Sequence, residues 1–347
     1  MEKTKEKIVW LDWLRVLSTI AVIFVHTGAN LNKQFGHIEL SDWWAANFWQ
    51  GISRFCVPLF FMISGVTVLG RELPIKEHFK KPFIRILLPF FFWHMAYMIF
   101  NWVVRLKMKP KDFWGVIKFV GSQFQNYSAY HFWYIYALIG IYCILPIFNK
   151  WINKASKFEI EVFLGLWLLT FLVNNEGLFG WKFRIDLPYN SGYIGYMVLG
   201  HYLYQQVYNL KWIKKLSLFM FLLGVGLILF PTYWISQKSG QLDLRFYSNY
   251  SPGVFLESVG LFLMAKNYSW NWSKGIVVKM RDFVSVNSYG IYCAHLLGLH
   301  YLAKIGIHFY VFTPFLGIIV TAISCLIACG IVVVLLKKLP FGKYFAG

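Results

Sequence analysis

Residues 8–30 read Ile-Val-Trp-Leu-Asp-Trp-Leu-Arg, then Val16 to Val25, then His26-Thr27-Gly28. A helix needs about 20 consecutive apolar residues to cross a bilayer, and this run has that length. Three of its side chains, Asp12, Arg15 and His26, are costly in hydrocarbon, which marks them as functional candidates. Arg15 and His26 are 11 positions apart, about 20° past three full helical turns and about 16 Å of rise. Both therefore lie on one stripe, Arg15 toward the start of the helix and His26 toward its end. That arrangement suits an elongated substrate held between a guanidinium and an imidazole. The plain alternative is an Asp12–Arg15 pair that snorkels to the interface and a histidine satisfied by a neighbouring helix.

Further apolar runs follow, and composition decides what they form. The 347 residues are 58% hydrophobic and only 14% charged, whereas soluble chains carry about a quarter charged residues. The expected fold is an all-α polytopic integral membrane protein. A net charge of +19 would suit a nucleic-acid partner, but the cations fall in short clusters between apolar runs and form no basic face. They point to membrane lipids instead, and no nucleic acid is expected. The five cysteines, Cys56, Cys143, Cys293, Cys325 and Cys329, sit inside apolar runs without metal-ligand spacing, so free buried thiols and no metal site are expected. No cleavable signal, internal repeat or separate soluble domain is expected, leaving one transmembrane domain over residues 1–347.

About ten spans are predicted, near 8–30, 45–69, 83–105, 131–149, 158–175, 190–207, 216–236, 250–267, 284–303 and 313–336. With this register, 21 lysines and arginines lie on the side of the termini and 11 on the other. The positive-inside rule then places both termini in the cytoplasm, although the cluster from Arg105 to Lys111 runs against it. Arg15 falls in the cytoplasmic leaflet and His26 toward the external one. The external connections carry Trp43, Trp44, Tyr127, Tyr130 and Trp181, which would either stack on sugar rings or form an interfacial aromatic belt.

Other polar groups fall at membrane depth. Ser53-Arg54 precedes a run from Phe55 to Gly65, where Pro58 would free a carbonyl and Ser64-Gly65 would allow close helix approach. Arg54 would neutralise an anion or snorkel outward. Glu257 is the one carboxylate deep in an apolar run, and an ionised carboxylate there needs an arginine or histidine partner. His94, His201 and His300 read as core or interface residues. The basic stretch from Arg71 to Arg85 suits a phosphate-rich ligand, and equally suits acidic lipid headgroups.

Five short motifs occur in order along the chain. They are Asp12-x-x-Arg15 with His26 beyond it; Val57-Pro58-Leu59-Phe60-Phe61-x-Ile63-Ser64-Gly65; and Arg85-Ile86-x-x-Pro89. His131-x-Trp133-Tyr134 and Ser288-Tyr289-Gly290-Ile291-Tyr292-x-x-His295 complete the set. Together they resemble acyltransferase family 3, the membrane O-acyltransferases that modify cell-surface glycans, over nearly the whole chain. The resemblance implies ten spans in a bacterial cytoplasmic membrane. It also implies transfer of an acetyl group from cytoplasmic acetyl-CoA to a hydroxyl of a cell-surface polysaccharide or its lipid-linked precursor.

The family's essential arginine and histidine fall on Arg15 and His26. Its Arg-x-x-Arg motif is matched in part: Arg85 holds the second position, Pro82 the first, and Lys81 stands beside it. Lys80, Lys81 and Arg85 would then hold the phosphates of CoA, and the pantetheine arm would run along the Arg15 stripe toward His26. There the imidazole would act either as general base or as an acyl carrier. Arg15 would bind a phosphate, polarise the thioester or organise Asp12. Arg54, His131, Trp133, Glu257, Tyr289 and His295 are the expected supporting residues. A transporter or flippase for a lipid-linked sugar is the rival reading, with the buried charges lining a path. Against it stand the missing inverted repeat and the single depth of His26.

Overall fold

The computed structural model describes residues 8–105, 112–174, 192–268, 270 and 274–347, with the side chains of Lys81 and Leu210 outside that description. The basic cluster beyond Arg105, up to Lys111, and Trp181 also lie outside it. Among the described residues every regular element is helical. Among the described residues six stretches are long and apolar enough to cross a membrane: Val9–Asn32, Leu40–Val68, Ile75–Arg105, Tyr130–Lys154, Lys211–Ser239 and Pro314–Lys338. The chain is therefore a multi-pass membrane protein. Four further expected spans correspond to helices Lys157–Asn174, Ile194–Gln205, Pro252–Asn267 and Ile276–Lys304. Two of these have only 12 and 16 residues, short of a full crossing. The last carries Lys279, Arg281 and Asp282 near its start.

Helix α1 (Val9–Asn32) is the hub, packed against α2 (Leu40–Gly51), α3 (Cys56–Val68) and three later helices. Its buried residues fall on most of its circumference, as expected for a helix enclosed by others. Asp12 carries one of its tethers. Its Oδ1 accepts from Arg15 Nη1 at 2.9 Å and from Ser285 Oγ at 2.8 Å on the Ile276–Lys304 helix. Arg15 is thus half-buried and paired within α1, as the Asp12-x-x-Arg15 spacing allows.

The expected span 45–69 falls within the crossing stretch Leu40–Val68, which is built of two helices. Helix α2 stops at Gly51, α3 starts at Cys56, and Ile52–Phe55 form an irregular break between them. Pro58 lies in the first turn of α3, where a backbone N–H has no intrahelical partner to lose. It starts a helix here instead of freeing a carbonyl within one. Irregular backbone at membrane depth is tolerated where it lines a cavity, and this break carries Arg54.

After α4 (Ile75–Pro82), a π-helical turn at Phe83–Leu87 leads into α5 (Leu88–Phe100). Pro82 and Pro89 flank that turn, which presents an exposed Arg85. Helix α6 (Phe113–Gln125) precedes a short 3₁₀ turn, Tyr130–Phe132, and the long α7 (Trp133–Lys154). The chain closes with α8 (Lys157–Asn174), α9 (Ile194–Gln205), α10 (Leu210–Ser239), α11 (Pro252–Asn267), α12 (Ile276–Lys304), α13 (Pro314–Lys338) and α14 (Gly342–Phe345).

Close approach of α3 and α9 rests on two glycines. A Cβ at Gly65 would fall on the Met197 carbonyl, and one at Gly200 on that of Met62. Small residues of this kind let helix backbones meet inside a membrane. The C-terminus returns to the starting end of the bundle. The Ala346 carbonyl accepts from Trp93 Nε1 at 3.4 Å, and Gly347 lies against Gly290, about 8 Å along α12 from the Ser285 that holds Asp12.

Candidate active site

The end of α1 opposite Arg15 brings His26 to a polar cluster drawn from three other places in the chain. Tyr130 and His131 come from the turn before α7, Arg54 from the α2–α3 break, and His295 from α12. His26 Nδ1 and Tyr130 Oη are 2.9 Å apart. The His295 ring centre lies 5.0 Å from that of His26 and 4.8 Å from that of His131. His131 and His295 are buried, while His26 keeps part of its surface open.

The open surface faces two cavities. One of about 280 Å³ lies toward the start of α1 and is lined by Val22, Cys56, Val57, Trp133, Tyr134 and Tyr193, among others. The second, of about 380 Å³, lies toward the end of α1 and includes Asn30, Asn32, Lys33, Gln50 and Tyr130. His26, Arg54, Tyr247 and Ser248 line both. Among the described residues no carboxylate lines either cavity, so the walls offer cations, amides, hydroxyls and aromatic faces.

Arg54 is held at this junction by its neighbours. Its guanidinium donates to Gln50 Oε1 and lies over the Tyr247 ring, 4.2 Å from the centroid. Gln50 in turn donates to the Val25 carbonyl at 2.6 Å, next to His26. Tyr247 Oη donates to Asn47 and accepts from Asn32 Nδ2. A planar guanidinium stacked on a ring and fixed by an amide is well ordered. Glu257 is fully buried on α11, and neither carboxylate oxygen has a hydrogen-bond partner among the described residues.

Hydrogen bonding also settles one tautomer. His295 Nδ1 meets the Tyr292 carbonyl, and a carbonyl only accepts, so Nδ1 carries the proton and neutral His295 keeps its lone pair on Nε2. That Nε2 and both His131 ring nitrogens are buried without partners. Orphaned polar atoms are rare in folded interiors, and several in one cluster mark a place built for more than packing. Among the described residues no group of three His, Cys, Asp or Glu side chains has the arrangement to hold a metal ion.

Of the residues chosen from sequence, His26, Arg54, His131 and His295 meet in this cluster, Trp133 lines the cavity toward the start of α1, and Glu257 is buried on α11. Arg15 lies lower on α1 with Asp12. Tyr289 also lies elsewhere, donating to the Ile86 carbonyl at 2.9 Å. It braces the π turn that presents Arg85. Lys80 lines an apolar groove of about 340 Å³ with Lys76, Phe79, Phe83 and Tyr142. Lys81 falls outside the described side chains. Trp43 is buried, donating to the Asn32 carbonyl at 3.0 Å and packed on Trp44 and Tyr233. Of the two alternatives left open for it, sugar stacking is closed to Trp43.

Sequence reasoning missed Gln50, Asn47 and Tyr247, and named Tyr130 only as a sugar-stacking or interfacial-belt aromatic. Its one available signal was adjacency: Tyr130 directly precedes the His131-x-Trp133-Tyr134 motif.

A family model described as an acyltransferase domain matches residues 8–335. No curated protein and no solved structure matches the chain.

Proposed function

The chain belongs to this acyltransferase domain family, and from that premise we propose that it is a membrane O-acetyltransferase. The donor is cytoplasmic acetyl-CoA, and the acceptor is a hydroxyl of a cell-surface polysaccharide or its lipid-linked precursor. The opening Trp10-x-Asp12-x-x-Arg15 resembles that of the O-acetyltransferase of enterobacterial common antigen, which supports this acceptor class. The proposed setting is a bacterial cytoplasmic membrane, with ten spans and both termini inside.

The observation that carries the reading is the position of His26 on the wall shared by two cavities. The acetyl thioester reaches His26 through the inner cavity, and the acceptor hydroxyl through the outer one. His26 takes the hydroxyl proton as the oxygen bonds the carbonyl carbon. The carbon–sulfur bond then breaks, and the proton passes to the departing CoA thiolate. Arg54 supplies positive charge where the carbonyl oxygen becomes negative. Lys80, Lys81 and Arg85 hold the CoA phosphates at the cytoplasmic mouth, and Arg15 guides the pantetheine arm.

The test uses the full chain in lipid vesicles with acetyl-CoA, and methyl glucoside and N-acetylglucosamine as probe acceptors. Release of CoA together with an acetylated sugar is the expected result. No CoA release above protein-free vesicles would overturn the reading.

A further inference from the structure

We propose that Tyr130 is a positioning residue for His26, its phenol oxygen holding the imidazole in the tautomer that leaves Nε2 unprotonated toward the acceptor. The inference rests on the acyl-transfer reading above and adds a residue to it. The contact is direct, with Tyr130 Oη 2.9 Å from His26 Nδ1 and the rings set edge to face at 5.2 Å. It is the one hydrogen bond made by the His26 ring among the described residues.

Tyr130 is 56% exposed, yet its backbone is fixed. It opens the 3₁₀ turn Tyr130–Phe132, whose next two residues, His131 and Phe132, are buried, and the Phe132 N–H donates to the Ala129 carbonyl at 3.0 Å. An exposed tyrosine is thereby turned back so that its hydroxyl meets the site. The other groups facing His26 are Arg54 from the α2–α3 break, His131 from the same turn and His295 from α12. None of them bonds Nδ1.

A neutral imidazole has one N–H, and the phenol can pair with either state of Nδ1. If Tyr130 donates, the ring proton sits on Nε2, which then cannot accept the proton of an acceptor hydroxyl. If His26 Nδ1–H donates to Tyr130 Oη, Nε2 holds the lone pair. Only the second arrangement serves the reaction, whether Nε2 takes the hydroxyl proton or attacks the thioester carbonyl. In the first route Nε2 gains one proton as the ester forms and returns it to the CoA thiolate. Nδ1–H stays on the phenol oxygen throughout, and the transient imidazolium keeps an acceptor.

Tyr130→Phe keeps the ring and its edge contact and removes only the hydroxyl. Turnover should fall about 10- to 100-fold, by analogy with the loss on removing the partner that orients a metal-bound histidine. KM for acetyl-CoA and thermal stability should stay unchanged. In a His26→Ala background, Tyr130→Phe should cost nothing further, because the two act as one unit. Nitrogen-15 NMR of the histidine rings supplies a readout that needs no acceptor. The signal lost in His26→Ala should report an Nδ1-protonated ring in the parent, and that state should be depleted in Tyr130→Phe.

Three results separate the failures. Normal turnover in His26→Ala would sink the acyl-transfer role of His26 itself. An inactive His26→Ala beside a fully active Tyr130→Phe would sink only the Tyr130 inference. So would an Nε2-protonated parent ring.

Discussion

His26 meets a phenol, a guanidinium and two imidazoles within one small volume, and these neighbours arrive from three different parts of the chain. A histidine that merely filled space would bury its ring against apolar side chains. This one keeps surface open to two cavities. On the proposed reading, His26→Ala lowers acetyl transfer by about two to four orders of magnitude, the usual worth of a positioned base. Acetyl-CoA affinity and melting temperature should stay near those of the parent, since the imidazole meets only the reactive end of the donor. Turnover, affinity and folded fraction measured on one preparation check this; activity that tracks the folded fraction would make His26 a packing residue. The residue types at this site were legible in part. Histidine and arginine inside apolar runs stand out because hydrocarbon penalises them. Tyr130, Gln50 and Tyr247 did not stand out, because hydroxyl, amide and aromatic groups are common at membrane interfaces.

Helices rather than residues decide where the cluster forms. The break at Ile52–Phe55 lets the chain turn between α2 and α3 and sets Arg54 beside α1. From the sequence the run 45–69 looked continuous, because all its break residues except Ser53 and Arg54 are apolar and hydropathy does not register backbone direction. By contrast, the close approach expected at Ser64-Gly65 is seen, since a glycine in an apolar helix has few other uses. Gly65→Ala would drive a methyl group into the Met197 backbone. It should destabilise the protein by about 1–3 kcal/mol, the common cost of overpacking. A scan of melting temperature in mild detergent checks this, and an unchanged midpoint would mean that α3 and α9 can part freely. Because α3 starts with Cys56 and Val57 on the cavity wall, the same variant should lose turnover before it loses its fold.

At the scale of the whole molecule, the class of fold was readable from apolar runs alone. Helices α9 and α11 are as apolar as the longer ones and differ from them in length, with 12 and 16 residues. The structure returns the C-terminus to the end of the bundle where α1 begins, while the 242–248 segment lines the cavity at the other end. Reporters fused at Gly240 and after Gly347 should therefore read opposite sides, with Gly347 cytoplasmic on the proposed orientation. The same side for both would refute the arrangement. If the mouth near Arg85 holds CoA phosphates, Arg85→Ala should weaken acetyl-CoA binding severalfold and flatten its dependence on ionic strength. Identical salt titrations of parent and variant would leave Arg85 as an orientation signal alone. The shared wall at His26 has one more consequence on the proposed reading. Outside a cell there is no pool of activated acyl carriers, and here neither the coenzyme nor the glycan has to change compartments; only a two-carbon group does. Surface modification would then be powered by central metabolism without an export step, and its extent should follow the internal ratio of acetylated to free coenzyme, rising in well-fed cells and fading in starved ones.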